Sequence, residues 1–424
     1  MRNSMHPAPF LDLVCALLRS VLRFDQPADR LVSAFFRAHR QLGARERHAA
    51  AETVYEILRR RLLLQHLAQG GRGPLERRLA LLGWKGESTH LARALAPDES
   101  AWLGQVRSLD LGALPPRLRH NLPEWASQPL SVALGDAEFG ALAASLLESA
   151  PLDLRVNALL GDRAAAQAAL ATEGVQADLT RWSPWGLRCA GKPALNRLAT
   201  FERGLVEVQD EGSQLLALLT GAARGEMVVD FCAGAGGKTL ALGAMMRNTG
   251  RLYAFDTSDH RLAALKPRLA RSGLSNVHPA AIAHERDDRM RRLAGKIDRV
   301  LVDAPCSGLG TLRRNPDLKW RQSPEAVTEL AARQQAILAA AGRLLRPGGR
   351  LVYATCSLLR AENEDIADAF TQAGRGSFEP VPAAQVLAQA RVTGAEALDE
   401  GGFLRLWPHR HGTDGFFAAV WERR

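Results

Sequence analysis

Lysine is nearly absent from this chain of 424 residues: six of its 55 basic side chains are lysine and the rest arginine. Cysteine is also sparse. The five thiols, Cys15, Cys189, Cys232, Cys306 and Cys356, are odd in number and widely spaced. No CxxC and no Cys/His zinc spacing occurs, which excludes a disulfide framework and a structural zinc site. No metal is expected, and a reducing cytoplasm is the expected compartment. No apolar run approaches the roughly 18 residues of a membrane helix. The opening "MRNSMHPAPFLDLVCALL" carries Asp12 inside its apolar stretch and has no small-residue cleavage site, so it does not read as a signal peptide. No repeat of solenoid type is present.

Basic charge is in excess. The net charge is +10 and the isoelectric point near 9.9. A preference for arginine over lysine does not explain an excess of bases over acids. Residues 1–120 hold 19 Lys and Arg against 11 Asp and Glu, so most of the excess lies there. An acidic partner, nucleic acid, is expected.

The length suggests two or three domains. From 8 to about 68 apolar residues recur at three- and four-residue steps, as in "FLDLVCALLRSVLRF", and helical patterns continue to residue 120. Residues 1–120 therefore read as an all-α domain. The proline-rich "GALPPRLRHNLPEW" (112–125) reads as a boundary, and 126–220 as a small α+β segment. From 221 to 424 strands and helices alternate, which predicts an α/β fold with a doubly wound, mostly parallel sheet. "GGFLRLWPHRHGTDGFFAAVWERR" (401–424) reads as a closing antiparallel hairpin.

The chemistry concentrates at strand ends. "VVDFCAGAGGKT" (228–239) is a strand, a glycine turn and a helix start. Gly234, Gly236 and Gly237 allow a tight turn and close approach of a ligand. Asp256, at the end of the next strand, has the reach to bind ribose hydroxyls. The loop is neither GxGxxG nor GxxxxGK[ST], which turns the reading from NAD or ATP toward S-adenosylmethionine, a donor without phosphates. "DAPCSG" (303–308) ends one later strand and "YATCS" (353–357) the next. Strands about 4.8 Å apart would bring both thiols to one substrate. Free cysteines often merely pack. Two at successive strand ends, one preceded by Asp303, suit methylation of a pyrimidine at carbon 5. There a thiolate must first add to C6 to make C5 nucleophilic, and an acid must stabilise charge at N3.

"DFCAGAGGKT", "DAPCSGLGTLRRNPDLKW" and "LLRPGGRLVYATCSLLRAENE" resemble signatures of the RsmB/NOP (NSUN-type) class of RNA cytosine-5 methyltransferases. The similarity runs from about 150 to the C-terminus and includes "LRVN" (154–157), "VQDEGSQ" (208–214) and "DGFF" (414–417). The resemblance implies a class I, Rossmann-like catalytic domain with a seven-stranded sheet and S-adenosylmethionine as cofactor. It implies Cys356 as nucleophile, Cys306 as the thiol that assists product release, and Asp303 as the group on the cytosine and its N3 proton. Cys232, Ala233, Gly234, Ala235, Gly236, Gly237, Lys238, Asp256, Arg261 and Asp303 are the expected cofactor contacts. The N-terminal helices are similar to the NusB-type RNA-binding fold of bacterial 16S ribosomal RNA members.

Two departures stand out. Ala235 replaces the proline usual in the cofactor loop. The Gly-Asp usual after the third strand is missing from "VHPAAIAHERDD", where Asp287 and Asp288 are the candidate substitutes and sit about a turn late. RNA contacts are expected at Arg155 and Asn157, and at Arg313, Arg314, Lys319 and Trp320, where bases and an aromatic ring lie beside Cys306. The bland alternative for that loop is a solvated surface. A monomer acting on a loop or flipped base of ribosomal RNA is expected. Transfer RNA as substrate, or an RNA-binding assembly factor without turnover, remain as alternatives.

Overall fold

The computed structural model describes residues 5–424, which divide into two compact units. The first comprises residues up to Ser149 together with Thr311–Ser323, and the second Ala150–Gly310 with Pro324–Arg424.

Helical periodicity builds the first unit. In the helix Pro7–Val21, Phe10, Leu11, Val14, Leu17, Leu18 and Val21 form one buried stripe. It packs with Ala50, Val54, Ile57 and Leu58 of the helix Ala44–Arg59 and with Leu79 of Leu75–Leu82. The proline-rich stretch does not end this unit. Pro116 opens the short helix Pro116–His120, and Glu124–Leu134 and Asp136–Leu146 follow. Proline suits the first turn of a helix as well as a linker, so residues 112–125 continue the helical unit.

The second unit holds two sheets. The smaller has β1 (Leu152–Val156), β2 (Ala177–Leu179), β3 (Gly186–Cys189) and β4 (Val206–Val208), in the antiparallel order β2-β3-β1-β4. The helix Arg163–Thr172 adds Ala166 and Leu170 to its core of Leu154, Val156, Leu187 and Val206.

The larger sheet contains β5 (Met227–Asp230), β6 (Arg251–Asp256), β7 (Val277–Ala281), β8 (Ile297–Asp303), β9 (Leu345–Thr355), β10 (Phe378–Pro380), β11 (Asp399–Glu400), β12 (Phe403–Leu406) and β13 (Phe416–Arg423). Its order is β11-β12-β13-β9-β8-β5-β6-β7, with β10 on β13. The five strands β5 to β9 are parallel and the closing hairpin is antiparallel, as the alternation predicts. Seven strands match the expected sheet. The other two, β10 and β11, are two or three residues long, too short to leave a periodic signal. The "RPGG" stretch lies within β9, where the pairing with β8 slips between Ile297 and Arg299.

Val300, Leu301 and Val302 of β8 and Leu351, Val352 and Tyr353 of β9 are fully buried, which fixes both strands. Strand order reverses between β5 and β8, the place at which ligands bind beyond the carboxyl ends of the strands in open α/β sheets. Among the described residues no helix is long and apolar enough to cross a membrane.

Candidate active site

Asp303 pairs with Ala354 at the ends of β8 and β9, and each chain then runs on to its cysteine. The Sγ atoms of Cys306 and Cys356 lie 3.4 Å apart. The loops behind them are closed by backbone. Gly310 N–H donates to the Cys356 carbonyl at 2.8 Å, and Gly415 N–H to the Gly310 carbonyl at 2.8 Å. A side chain at 310 would overlap Gly415, so the glycine is required by close approach. The hydrogen bond with Cys356, and then burial, push the Cys306 thiol well above its ordinary pKa. Cys306 therefore keeps its proton at neutral pH.

Behind the thiols lies a buried carboxylate. Glu362 is fully inaccessible and accepts from Ser307 N–H at 2.8 Å and Gln334 Nε2 at 3.1 Å. The Ser307 and Ser357 hydroxyls each donate to its Oε2 at 2.5 Å.

The glycine loop leaves β5 with Gly234 and Gly236 at φ of 55° and 84°, both in the left-handed region. Asp256, at the tip of β6, accepts from Gly234 N–H and Ser258 N–H, both at 2.8 Å. The helix Gly237–Met245 begins immediately after the loop, and its first turn is fastened to two strand tips. Thr239 donates to Asp230 at 2.7 Å, and the Lys238 ammonium meets Asp303 at 2.7 Å. Burial pulls the Lys238 ammonium down, but the Asp303 carboxylate outweighs it and its pKa stands raised. Asp230 is buried, its Oδ1 has no hydrogen-bond partner, and burial pushes its carboxyl up to about 7. Burial likewise pushes the Cys232 thiol well up, with Asp303 adding to the effect.

The expected cofactor residues thus collect at the ends of β5, β6 and β8. Lys238 turns to Asp303, Ala235 is exposed, and Arg261 is exposed on the first turn of Asp259–Ser272. After β7, where the usual acid is missing, Asp287 caps the helix Asp288–Leu293. It accepts from Arg289 N–H at 2.9 Å and reaches back to Ala283 N–H at 3.3 Å. The hydrogen bond from Arg289 leads in holding its carboxyl below the usual range. Asp288 is exposed and pairs with Arg291.

The six residues expected at RNA do not form an open patch. Arg155 is buried and donates to the Gly237 carbonyl at 2.7 Å and to Gln209. Asn157 is buried and donates to the carbonyls of Gly204, at 3.2 Å, and Ser272, at 3.0 Å. Residues 311–323 belong to the helical unit. There Lys319 is buried with its Nζ on the Arg59 carbonyl at 2.8 Å, and Trp320 donates to the Leu58 carbonyl at 2.8 Å. Arg313 is buried and Arg314 half-buried. Cations beside an aromatic ring look alike in sequence whether they await a phosphate or fasten helix ends. Here Lys319 and Trp320 bind main-chain carbonyls.

Asp230, Ser307, Gln334, Ser357 and Glu362 belong to none of the expected site residues. The repeated Cys-Ser dipeptide at the two strand ends was a usable signal. Glu362, within "RAENE", gave no sign of its partners.

A family model described as 16S rRNA methyltransferase RsmB/F matches residues 217–422. A second, for the ferredoxin-like domain of RsmF/B-like methyltransferases, matches residues 122–195. A Synechocystis protein named "Probable ribosomal RNA small subunit methyltransferase B" is 35% identical over 305 residues, 71% of this chain and 66% of that protein. A Mycobacterium tuberculosis protein named "Putative methyltransferase Rv1407" is 38% identical over 347 residues, 77% of this chain and 69% of that one. Among solved structures, a methyltransferase homolog from Pyrococcus horikoshii superposes with a TM-score of 0.62 at 26% identity, covering 74% of this chain and 100% of that one. The crystal structure of PH0851 has the same fold over 100% of both chains, with a TM-score of 0.80 at 24% identity. The thiol pair, the glycine loop and the two matched models agree, and the chain belongs to the RsmB/F family of methyltransferases.

Proposed function

We propose that the protein methylates carbon 5 of a cytosine in RNA, with 16S ribosomal RNA as substrate and S-adenosylmethionine as donor. The observation that carries this reading is the approach of two thiols to 3.4 Å at the ends of neighbouring strands, next to Asp303.

Cys356 is the nucleophile: its thiolate adds to C6, and the electron density released toward C5 makes that carbon reactive. Cys306 holds its proton and is the poorer candidate for attack. Asp303 orients the cytosine ring, and the Lys238 ammonium 2.7 Å from it is the protonated partner that offsets the negative charge developing at N3. After methylation solvent water takes the C5 proton, the C5–H electron pair restores the C5–C6 double bond, and the S–C6 pair returns to the Cys356 sulfur. Cys306 lies within hydrogen-bonding distance of that sulfur and assists its departure.

The glycine loop fits the donor. At Gly234 an added Cβ would meet nothing within 4 Å, so open space adjoins the loop, and the buried Oδ1 of Asp230 lacks a partner. The residues that would hold the donor are Cys232 to Lys238 and Asp256, and the group supplies an electrophilic methyl when bound. Asp256 spends one lone pair of each oxygen on the loop and retains the others for ribose hydroxyls.

Bisulfite sequencing of total RNA from cells lacking the protein tests the reading. One cytosine of 16S ribosomal RNA is expected to lose its methyl group. Loss confined to transfer RNA would select that substrate instead, and no loss in any RNA overturns the proposal. Calorimetry adds a second check, since no binding of S-adenosylmethionine with or without RNA would leave only an assembly factor.

A further inference from the structure

Glu362 lies in a single turn, Arg360–Glu362, after β9, and no cation contacts its carboxylate among the hydrogen bonds it makes. Its partners are one backbone N–H, two hydroxyls and one amide. A buried carboxylate held by neutral donors alone is costly compared with an apolar residue of the same volume. Its partners are also not scattered. Ser307 follows Cys306 directly and Ser357 follows Cys356 directly, and their hydroxyls stand 3.1 Å apart on the same oxygen.

We propose that Glu362 is a positioning residue whose single carboxylate ties the peptides after Cys306 and Cys356 together and so sets the separation of the two thiols. This rests on the thiol chemistry proposed above and adds the device that aligns it. Gln334 extends the tie. Its amide donates to Glu362 and, at 2.9 Å, to the carbonyl of Pro305, the residue before Cys306. Cys306 is therefore gripped on both sides. Asn363 secures the other strand end, donating to the Ser357 carbonyl at 3.1 Å while Thr355 Oγ1 donates to its side chain at 2.5 Å. Tyr353 fixes the turn itself, its hydroxyl donating to the Glu362 carbonyl at 2.6 Å.

The charge has a second consequence. After the hydrogen bond with Cys356 and burial, the Glu362 carboxylate is among the causes that keep the proton on Cys306. A thiol that must wait while its neighbour attacks is served by a fixed negative charge behind it. Placement matters in its own right, because misplacement of a reacting group by about 1 Å costs on the order of a hundredfold in rate.

The experiment compares the wild type, Glu362→Gln and Ser357→Ala as full-length proteins. Thermal melting and binding of S-adenosylmethionine establish that each variant is folded. Single-turnover methyl transfer to RNA is then measured, together with the pH profile of Cys306 alkylation by iodoacetamide. Glu362→Gln is expected to slow transfer by about tenfold to a hundredfold with little change in the KM for RNA. It should also move Cys306 alkylation to lower pH, because the opposing charge is gone. Ser357→Ala keeps the charge and loosens the tie, so its transfer slows while the alkylation profile stays. Transfer within twofold of wild type in both variants, with an unmoved profile in Glu362→Gln, overturns the proposal. If Glu362→Gln does not fold, the rate of Ser357→Ala decides alone. The alkylation arm needs no RNA, so a wild type inactive on every RNA would overturn the proposed function and leave the test of Glu362 standing.

Discussion

At the scale of single residues, the proposed reaction asks two identical side chains 3.4 Å apart to do different work. The contact with Cys356, partial burial and the field of Glu362 hold the proton on the half-buried Cys306. Removing each thiol should therefore give a different phenotype. Cys356→Ala takes away the atom that bonds C6, so methyl transfer should fall about a thousandfold or more, with no covalent protein–RNA adduct on a denaturing gel. An adduct that persists in this variant would assign the attack to another residue. Cys306→Ala leaves the attack and methyl transfer possible but removes the partner of the departing sulfur. It should accumulate a protein–RNA adduct in the presence of S-adenosylmethionine. Rapid multiple turnover without adduct would take Cys306 out of the mechanism.

At the scale of elements, the loop from β5 into the helix Gly237–Met245 depends on backbone that only glycine adopts easily. Gly236 sits at φ 84°, and a Cβ there would overlap Leu265 of the helix Asp259–Ser272. Gly236→Ala combines strain with overpacking and should cost about 2–4 kcal/mol in unfolding free energy. It should also weaken S-adenosylmethionine binding in calorimetry by at least about tenfold, because the loop and the first helical turn move together. Unchanged affinity would separate this loop from the cofactor. The loop was legible in the sequence because its determinants are local: a strand of Met227 to Asp230, then glycines at fixed offsets. The parallel sheet was legible for the same reason, through alternation of strand and helix. The Glu362 cluster was not, since it joins positions 307, 334, 357 and 362 that no local period connects. Arg155 shows the opposite failure. A cation in a family motif suggested RNA, yet its guanidinium is spent on the carbonyl of Gly237, 82 positions away.

At the scale of the whole molecule, the helical unit is assembled from two distant parts of the chain. Its longer helices end before residue 149, but Thr311–Ser323, with the short helix Leu318–Arg321, joins them after the chain has passed through most of the parallel sheet. Asp317 accepts from Ala28 N–H at 3.1 Å, and Lys319 and Trp320 hold the carbonyls of Arg59 and Leu58. Lys319 stands out among these contacts because no carboxylate accompanies its hydrogen bond. Burial, then Arg59 and Arg60, bring its ammonium down from 10.5 to about 7. The folded chain therefore releases this proton near neutrality while the unfolded chain holds it to about pH 10.5. Between those values the unfolded state binds more protons, so the contribution of Lys319 to stability rises with pH and is lost as pH falls through 7. Lys319→Met lacks the titration altogether. Its unfolding free energy, measured by chemical denaturation at pH 6 and pH 9, should move relative to wild type by about 1–3 kcal/mol in favour of wild type at the higher pH. Taking the difference between the two proteins cancels the other titrating groups they share, including Asp230, whose raised carboxyl acts in the opposite sense on the acid side of 7. A difference that stays constant with pH would mean that Lys319 remains charged in the fold, and that its place beside Arg59 is open to water.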